Sequence, residues 1–201
     1  MKKIILATKN PGKLHEFRSL STGYPWVVLS LKDFPALPAV PETGTTFREN
    51  ARLKAVSAAE KTGLVALADD SGLVVDYLGG LPGVHSARFA GEGATDQKNN
   101  EKLLKMLDGV PGHQRTARFC CTIAVAEPSG QVEYCEGFCE GQILTEARGT
   151  NGFGYDPLFF LPEWGKTMAQ LSLGEKNLVS HRGKAFKAVL PILEKILSKS
   201  V

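Results

Sequence analysis

Apolar residues recur along the chain at two spacings, one typical of strands and one typical of helices. Strands are predicted by short apolar runs at 3–7, 26–31, 64–68, 73–78, 116–126 and 131–142. Helices are predicted by apolar residues at helical spacing from about Pro11, over 45–62, over 96–108 and from about Arg182. The turn residues 127–130 join the last two strands into a hairpin, and Pro191 could kink the last helix. The order of these elements predicts a mixed α/β protein.

Three segments that lack a repeating apolar pattern are predicted to be loops. The segment 32–44 contains Pro35, Pro38 and Pro41, and the segments 79–94 and 148–157 are rich in glycine. The chain has 201 residues, which is the length of one substantial domain or two small lobes. We predict a single domain over 1–201.

Composition and charge narrow the class of protein only slightly. Hydrophobic residues make up 43% of the chain, charged residues make up 22%, and the net charge is +3, which by itself does not indicate a nucleic-acid partner. The apolar run that starts at Ile4 is too short for a signal peptide, and no run is long enough to span a membrane. We therefore expect a cytoplasmic protein with neither a membrane nor a nucleic acid as partner. In that compartment, Cys120, Cys121, Cys135 and Cys139 are expected to be thiols.

The first candidate site follows the first predicted strand. Asn10 is suited to cap the next helix, and Pro11 fits the first helical position, where no amide donor is needed. The free amides of that helix terminus, with Lys13 in the first turn, would attract an anion such as phosphate. The alternative is an ordinary strand-to-helix turn with solvated lysines.

A pair of acidic residues, Asp69 and Asp70, comes directly after the apolar run 64–68. Active sites of α/β proteins lie beyond the carboxyl ends of strands, and carboxylates there suit Mg²⁺. Because side chains alternate along a strand, we expect only one of the two carboxylates to face a given cleft. An acidic turn capped by Ser71 is the alternative interpretation.

Two further segments carry groups suited to a nucleotide. Lys54 lies at the edge of the apolar face of the helix 45–62, where it could reach a phosphate or simply extend into water, and Glu42 precedes that helix. Glycines flank Phe153 and Tyr155, and the ring of one or the other could stack on a base. Lys176 and the run 180–184 supply hydrogen-bond donors, or else a basic, solvated start to the last helix.

Taken together, these segments resemble the inosine triphosphate pyrophosphatase family, which acts on non-standard purine nucleoside triphosphates. The resemblance covers nearly the whole chain and rests on the segments 7–13, 42–51 with Lys54, 68–73, 81–88, 152–157, Lys176 and 180–183. It implies an elongated mixed β-sheet with flanking helices, in which two lobes surround a central substrate cleft. It also implies dependence on Mg²⁺ and a homodimer.

The resemblance implies a role for each matched residue. The metal would be held by Glu42 and Asp70. Catalysis would depend on Asp70 as the base, supported by Lys54 and Asp69. The nucleotide would be bound by Thr8, Lys9, Asn10, Pro11, Gly12, Lys13, Ser71, Phe153, Gly154, Tyr155, Asp156, Lys176, His181 and Arg182. In this set, Thr8, Asn10 and Lys13 would bind the triphosphate, and the residues from Phe153 onward would enclose the base.

The implied activity is the hydrolysis of ITP, dITP or XTP to the nucleoside monophosphate and pyrophosphate. Two alternatives remain open at this point. One is a pyrophosphatase of the same fold that acts on another modified nucleotide. The other is a non-catalytic nucleotide sensor or nucleic-acid-binding module that uses the basic segment 176–187 and does not need Asp69, Asp70 or Glu42.

Overall fold

A computed structural model describes residues 1–37 and 40–199 of the chain, so Pro38 and Ala39 of the predicted loop 32–44 lie outside the described residues. The strands are β1 (Lys2–Leu6), β2 (Trp26–Ser30), β3 (Val65–Val75), β4 (Thr116–Ala126), β5 (Val132–Ile143), β6 (Phe159–Leu161) and β7 (Lys166–Thr167). The α-helices are α1 (Pro11–Leu20), α2 (Phe47–Thr62), α3 (Asp96–Met106), α4 (Leu173–Val179) and α5 (His181–Lys199). Short 3₁₀ helices cover Leu31–Asp33, Asp76–Leu78, Gly83–Arg88, Gly112–Gln114, Pro162–Trp164 and Met168–Gln170.

The seven strands form one mixed sheet in the order β2-β1-β3-β4-β5-β6-β7. Strand β1 pairs in parallel with both β2 and β3, with Ile4 opposite Val28 on one side and opposite Val65 on the other. At the other edge, β6 pairs antiparallel with both β5 and β7. The prediction of a mixed α/β sheet is therefore confirmed.

The chain divides into two compact units, and the first comprises Met1–Asp70, Cys121–Gly137 and Arg182–Val201. Its sheet carries an apolar core on each face. On one face, Leu67 of β3 packs with residues of α1 and α5 such as Phe17 and Phe186. On the other face, Ala66 and Ala68 pack with the alanines of α2. Each helix layer thus buries one set of alternating strand residues, as the period of two in a strand requires.

The second unit comprises Ser71–Cys120 and Phe138–His181 and has a single core. In that core Leu103 and Leu107, on α3 and just after it, pack with Phe159 of β6 and the buried ring of Tyr155. The chain therefore has two compact units, and the single domain over 1–201 stays a prediction.

Some predicted boundaries were wrong. The segment 64–78, predicted as two strands with a turn at 69–72, is one strand, β3, because its residues are nearly all buried and the sheet continues through Asp69 and Asp70. Strands β6 and β7 and helix α4 were not predicted, because they are too short to show a period. Helix α5 runs through Pro191 without ending there.

Other expectations were confirmed. Thr46 caps α2 in a capping box with Glu49, and Gly63 ends the helix in the left-handed conformation, at φ 67°. All four cysteine side chains are thiols, three of them buried and Cys135 half-buried. Among the described residues, no helix is long and apolar enough to cross a membrane.

Candidate active site

Asp69 and Asp70 lie within β3, and their carboxylates contact different helix layers of the first unit. Asp69 follows the alternation of Leu67, which packs against α1 and α5, and Asp70 follows that of Ala66 and Ala68, which pack against α2. Both side chains are buried, with only 4% of Asp69 and 6% of Asp70 exposed. The expected division of the two carboxylates between opposite faces is confirmed by their ion pairs, because Asp69 pairs with Lys13 of α1 and Asp70 pairs with Lys54 of α2.

On the α2 face, the ammonium of Lys54 joins the two carboxylates predicted to hold a metal. Lys54 Nζ lies 2.8 Å from Glu42 Oε1 and 3.0 Å from Asp70 Oδ1, and it also donates to the backbone oxygen of Asp69 at 2.8 Å. Lys54 reaches these acceptors because it lies two turns into α2, directly across from the middle of β3. The lysine therefore points into the site and not into solvent.

Asn50, one helical turn before Lys54, completes this face. It is fully buried, its Nδ2 donates to Asp70 Oδ2 at 3.3 Å, and its Oδ1 accepts from the amide of Gly44 at 2.8 Å. Gly44 is two residues after Glu42, so one side chain ties the loop of Glu42 to the carboxylate of Asp70. A side chain at position 44 would be too close to this contact, because its Cβ would lie 2.8 Å from Asn50 Oδ1.

The environment of Asp70 favours a proton on its carboxyl group more than water does. Burial raises the pKa of Asp70, and the positive charges of Lys54 and Lys13 offset this only in part. The pKa of Lys54 is itself raised, because the attraction of Asp70, Asp69 and Glu42 outweighs the effect of burial. A carboxylate whose pKa is raised is a better proton acceptor than an ordinary one, which suits Asp70 to take a proton from water.

On the opposite face, Asp69 lies between two cations. Its Oδ2 is 2.8 Å from Lys13 Nζ and 3.4 Å from Arg182 Nε, and the guanidinium of Arg182 also contacts the buried carboxylate of Glu16. Burial alone would raise the pKa of Asp69, but Lys13, Arg182 and Lys54 together lower it well below its usual range. Asp69 is therefore held ionised, whereas Asp70 can exchange a proton.

The start of α1 confirms the predicted cap, and the predicted anion site there stays a prediction. Asn10 Oδ1 accepts from the amides of Gly12 at 2.8 Å and Lys13 at 3.1 Å, and Pro11 takes the first helical position. Because the cap uses these two amides, they are not free donors, whereas the roles of Thr8, Asn10 and Lys13 at the triphosphate stay predictions. Thr8 Oγ1 accepts from the amide of Asn10, and Lys9 is exposed.

In the second unit, the glycine-rich loop and α4 form a second group of predicted residues. Asp156 Oδ2 accepts from Lys176 Nζ at 2.6 Å and from the amide of Phe153 at 2.9 Å, and both charged residues are buried. The ammonium of Lys176 lies 4.9 Å from the centre of the Phe153 ring. The half-buried ring of Phe153 thus has a cation at one side, a placement suited to an aromatic ligand.

The remaining predicted residues are described by their contacts with other parts of the protein. Tyr155 is buried in the core and its hydroxyl donates to the Ser86 carbonyl at 2.7 Å, so of the two rings considered for stacking on a base, Phe153 is the better placed. The ring of His181 stacks on Phe119 with centroids 4.7 Å apart, and Ser71 is half-buried. Arg182, expected beside the base, has its guanidinium on Glu16 and Asp69 in the first unit.

The acidic residues of the first unit fit a magnesium ion. Glu42 and Asp70 offer hard carboxylate oxygens, and Mg²⁺ usually takes one or two carboxylates together with substrate phosphates and water. In the part of the chain that the structure describes, no group of three or more histidine, cysteine or acidic side chains could hold a metal by itself. The residues therefore suit an ion whose remaining ligands come from a bound polyphosphate.

Glu16 and Asn50 belong to this arrangement and were not assigned to it from the sequence. Glu16 lies one turn after Lys13 in α1, beside buried Phe17, so an acid on a buried stripe was the available signal. Asn50 lies one turn before Lys54, and a buried amide four residues from a functional lysine was the corresponding signal in α2.

The sequence model of the Ham1 family matches residues 4–192. The chain belongs to the Ham1 family. This confirms the resemblance seen in the sequence motifs. The chain is 54% identical over 194 residues to a dITP/XTP pyrophosphatase of Desulforamulus reducens, and these residues make up 96% of each chain.

Other relatives agree with this assignment. A dITP/XTP pyrophosphatase of Geobacillus kaustophilus is 57% identical over 185 residues, covering 92% of this chain and 91% of the relative. A solved HAM1 protein from Coxiella burnetii is 43% identical with a TM-score of 0.88, covering 97% of this chain and all of the other. A nucleoside-triphosphatase, or dITP/XTP pyrophosphatase, from Mycobacterium abscessus is 42% identical with a TM-score of 0.75, covering 95% of this chain and 99% of the other. The fold is thus that of solved Ham1 proteins.

Proposed function

We propose that this chain hydrolyses the non-standard purine nucleoside triphosphates ITP, dITP and XTP to the nucleoside monophosphate and pyrophosphate. The names of its Ham1 relatives support the substrate class. The observation that carries the proposal is the contact of Lys54 with both Glu42 and Asp70, at 2.8 and 3.0 Å. Two carboxylates and a lysine at one point are suited to bind polyphosphate with its metal and to activate water.

The reaction begins with a water molecule in line with the α-phosphorus. Asp70 accepts the proton of this water, and its raised pKa suits that step. The water oxygen forms a bond to the α-phosphorus as the bond from that phosphorus to the α–β bridging oxygen breaks, so the monophosphate remains and pyrophosphate leaves. Lys54 and Lys13 offset the negative charge that develops on the phosphoryl oxygens.

Glu42 and Asp70 are the residues that would hold Mg²⁺. When bound, the ion neutralises phosphate charge and stabilises the pyrophosphate leaving group. Asn50 keeps Asp70 and the loop of Glu42 in fixed relation, through its contacts of 3.3 Å and 2.8 Å. Asp69, held ionised by Lys13 and Arg182, fixes the position of the Lys13 ammonium.

Selectivity for the base is assigned to Phe153, Asp156, Lys176 and His181, with Arg182 as a further candidate. Hypoxanthine and xanthine carry a carbonyl at position 6, where adenine carries an amino group. Side chains that donate a hydrogen bond to this carbonyl would face the amino group of adenine, which is also a donor, if ATP bound. Buried donors left unpaired in this way can discriminate by about 10⁴-fold or more.

The decisive experiment is a nucleotide panel assayed with and without Mg²⁺, in which pyrophosphate and single phosphate are measured separately. We expect ITP, dITP and XTP to release pyrophosphate in the presence of Mg²⁺, and ATP to do so far more slowly. Strong turnover of a methylated or pyrimidine nucleotide with weak turnover of ITP would show that the substrate is a different nucleotide. Nucleotide binding that needs no Mg²⁺ and yields no product would show that the protein is a nucleotide sensor and not an enzyme.

Three finer assignments belong to the same proposal. We assign the protein to the cytoplasm, as a homodimer, with a small nucleotide as its partner and neither nucleic acid nor membrane. Light scattering coupled to size-exclusion chromatography tests the dimer directly, since the monomer mass is 21.7 kDa. A monomeric mass at the concentration used for the assay would contradict the dimer without affecting the activity.

A further inference from the structure

Helix α3 holds both backbone polar groups of Gly154, in the middle of the loop 148–157. The Gly154 amide donates to Asp96 Oδ2 at 2.7 Å, and Asn100 Nδ2 donates to the Gly154 carbonyl oxygen at 3.0 Å. Asp96 and Asn100 are four residues apart and therefore lie on the same face of the helix. Two side chains one turn apart on the helix thus hydrogen-bond to the amide and to the carbonyl of the same loop residue.

These two hydrogen bonds restrain the two peptide planes that flank Gly154. The amide of Gly154 shares a plane with the carbonyl of Phe153, and its carbonyl shares a plane with the amide of Tyr155. Gly154 adopts φ 63°, and a Cβ built there would have no atom within 4 Å. Glycine is conformationally permissive, so the two hydrogen bonds supply a restraint that its own backbone lacks.

The residues on either side of Gly154 differ in how firmly they are held. Tyr155 is buried, and its hydroxyl donates to the Ser86 carbonyl at 2.7 Å. Phe153 is half-buried, and its amide donates to Asp156. Gly154 is therefore the joint between a residue anchored in the core and the aromatic ring that faces partly outward.

We propose that Asp96 and Asn100 are positioning residues that hold the ring of Phe153 in the orientation needed to stack on the purine. This inference rests on the proposed function, which assigns base stacking to Phe153. Asp96 and Asn100 hydrogen-bond to the backbone of Gly154. They act on the nucleoside end of the substrate through the Phe153–Gly154 and Gly154–Tyr155 peptides.

The physical reason is preorganisation. A ring that is already oriented loses little freedom when the base binds, whereas a ring on a loosened glycine joint must be ordered by the ligand. Loss of one hydrogen bond to the Gly154 backbone should therefore weaken binding of the nucleoside by about fivefold. Binding of a ligand that has no base should not change.

The experiment compares Asp96→Ala and Asn100→Ala with the wild type in steady-state hydrolysis of ITP. We expect each variant to raise the KM for ITP about fivefold while kcat changes less than twofold. Asp96→Asn keeps an acceptor oxygen and should restore most of the affinity. Gln97→Ala is the matched control, because Gln97 lies on the same helix and its described partner is Glu101 alone.

Inorganic pyrophosphate separates positioning from general damage. As a product that lacks the base, it should inhibit the wild type and the variants with the same inhibition constant. An unchanged KM for ITP in both alanine variants would overturn the proposal. So would a KM and a pyrophosphate inhibition constant that rise by the same factor, because the effect would then not be specific to the base.

A second measurement needs no substrate. Hydrogen exchange of the Gly154 amide, followed by NMR in the ligand-free protein, should be faster in Asp96→Ala than in the wild type and unchanged in Gln97→Ala. An unchanged rate would overturn the proposal even in an inactive protein. If the wild type itself released no pyrophosphate from ITP, the proposed function would fail, and the exchange rates would still decide whether Asp96 holds the loop.

Discussion

Asp69 and Asp70 are neighbours in β3, yet their carboxylates lie on opposite faces of the sheet and have opposite pKa shifts. Asp69 is 2.8 Å from Lys13 of α1, and Asp70 is 3.0 Å from Lys54 of α2. The pKa of Asp69 is lowered although its burial opposes this, and the pKa of Asp70 is raised by its burial. One carboxylate is thus a fixed charge and the other a proton acceptor, and the alternation of a strand is enough to separate them.

The first prediction concerns Asp70 as the base. Asp70→Asn keeps the shape of the side chain but cannot accept a proton, so kcat for ITP should fall by about 10²- to 10⁴-fold. Circular dichroism should remain that of the wild type, since the amide fills the same space as the carboxylate, whereas thermal unfolding should shift to lower temperature, because the single amide oxygen can accept from only one of the donors Asn50 and Lys54. Glu60→Gln, an exposed acid on α2, is the control. Activity near that of the wild type in Asp70→Asn would remove the residue from the proposed role.

Much of this site could be predicted from the sequence because its parts are local. Asn10 and Pro11 carry the signals of a helix start, and Asp69 and Asp70 could be recognised as candidates because they follow an apolar run. The continuation of β3 through the acids could not be predicted. Two adjacent acidic residues usually end a buried strand, and here they are tolerated because Lys13 and Lys54, distant in sequence, supply their partners.

The second prediction concerns the pH dependence of the reaction. Burial raises the pKa of Asp70, and the charge of Lys54 opposes that rise. Because the base must be ionised, activity is lost as the pH falls through the pKa of Asp70. Lys54→Met removes a charge that lowers this pKa, so the acidic limb of the profile of kcat/KM should move to higher pH. The profile is measured with saturating Mg²⁺ between pH 5 and 9, a range on the order of the one in which carboxylates with raised pKa and histidines titrate.

Lys61→Met is the matched control for this prediction, because Lys61 is an exposed lysine on the same helix. Its profile should superimpose on that of the wild type. An acidic limb in Lys54→Met that stays in place or moves to lower pH would show that Lys54 does not act on the ionisation of the base.

The third prediction concerns the loop that carries Glu42. A Cβ at position 44 would lie 2.6 Å from the Cβ of Glu49 and 2.8 Å from Asn50 Oδ1, so Gly44→Ala must displace the loop. We expect the Mg²⁺ concentration for half-maximal activity to rise about tenfold or more, as for other changes to groups that support metal ligands. Gly112→Ala is the control, since a Cβ there meets no atom within 4 Å. Identical Mg²⁺ titrations for the two variants would contradict the role of this loop.

The contacts of Arg182 show where sequence reasoning lacked the necessary signal. The donors at 180–184 stand together in the chain, which suggested a common task at the base. In the structure His181 stacks on Phe119, whereas Arg182 contacts Glu16, which is 166 residues away in sequence. A buried pair between distant residues leaves no local pattern, and only the acid on the buried stripe of α1 hinted at it.

The fourth prediction follows from that buried pair. Arg182→Ala would leave the carboxylate of Glu16 without its guanidinium and remove one of the two cations beside Asp69. Removing one partner of a buried ion pair typically costs about 3–5 kcal/mol of the free energy of unfolding, because the other charge stays buried. Urea denaturation at constant m-value measures this loss, and Arg52→Ala, a change of an exposed arginine, serves as the control. Arg182→Ala also tests selectivity, since a smaller ratio of ITP to ATP hydrolysis would assign Arg182 to the base as well. A loss below about 1 kcal/mol, the range of surface ion pairs, would mean that the Glu16–Arg182 contact contributes little to the fold.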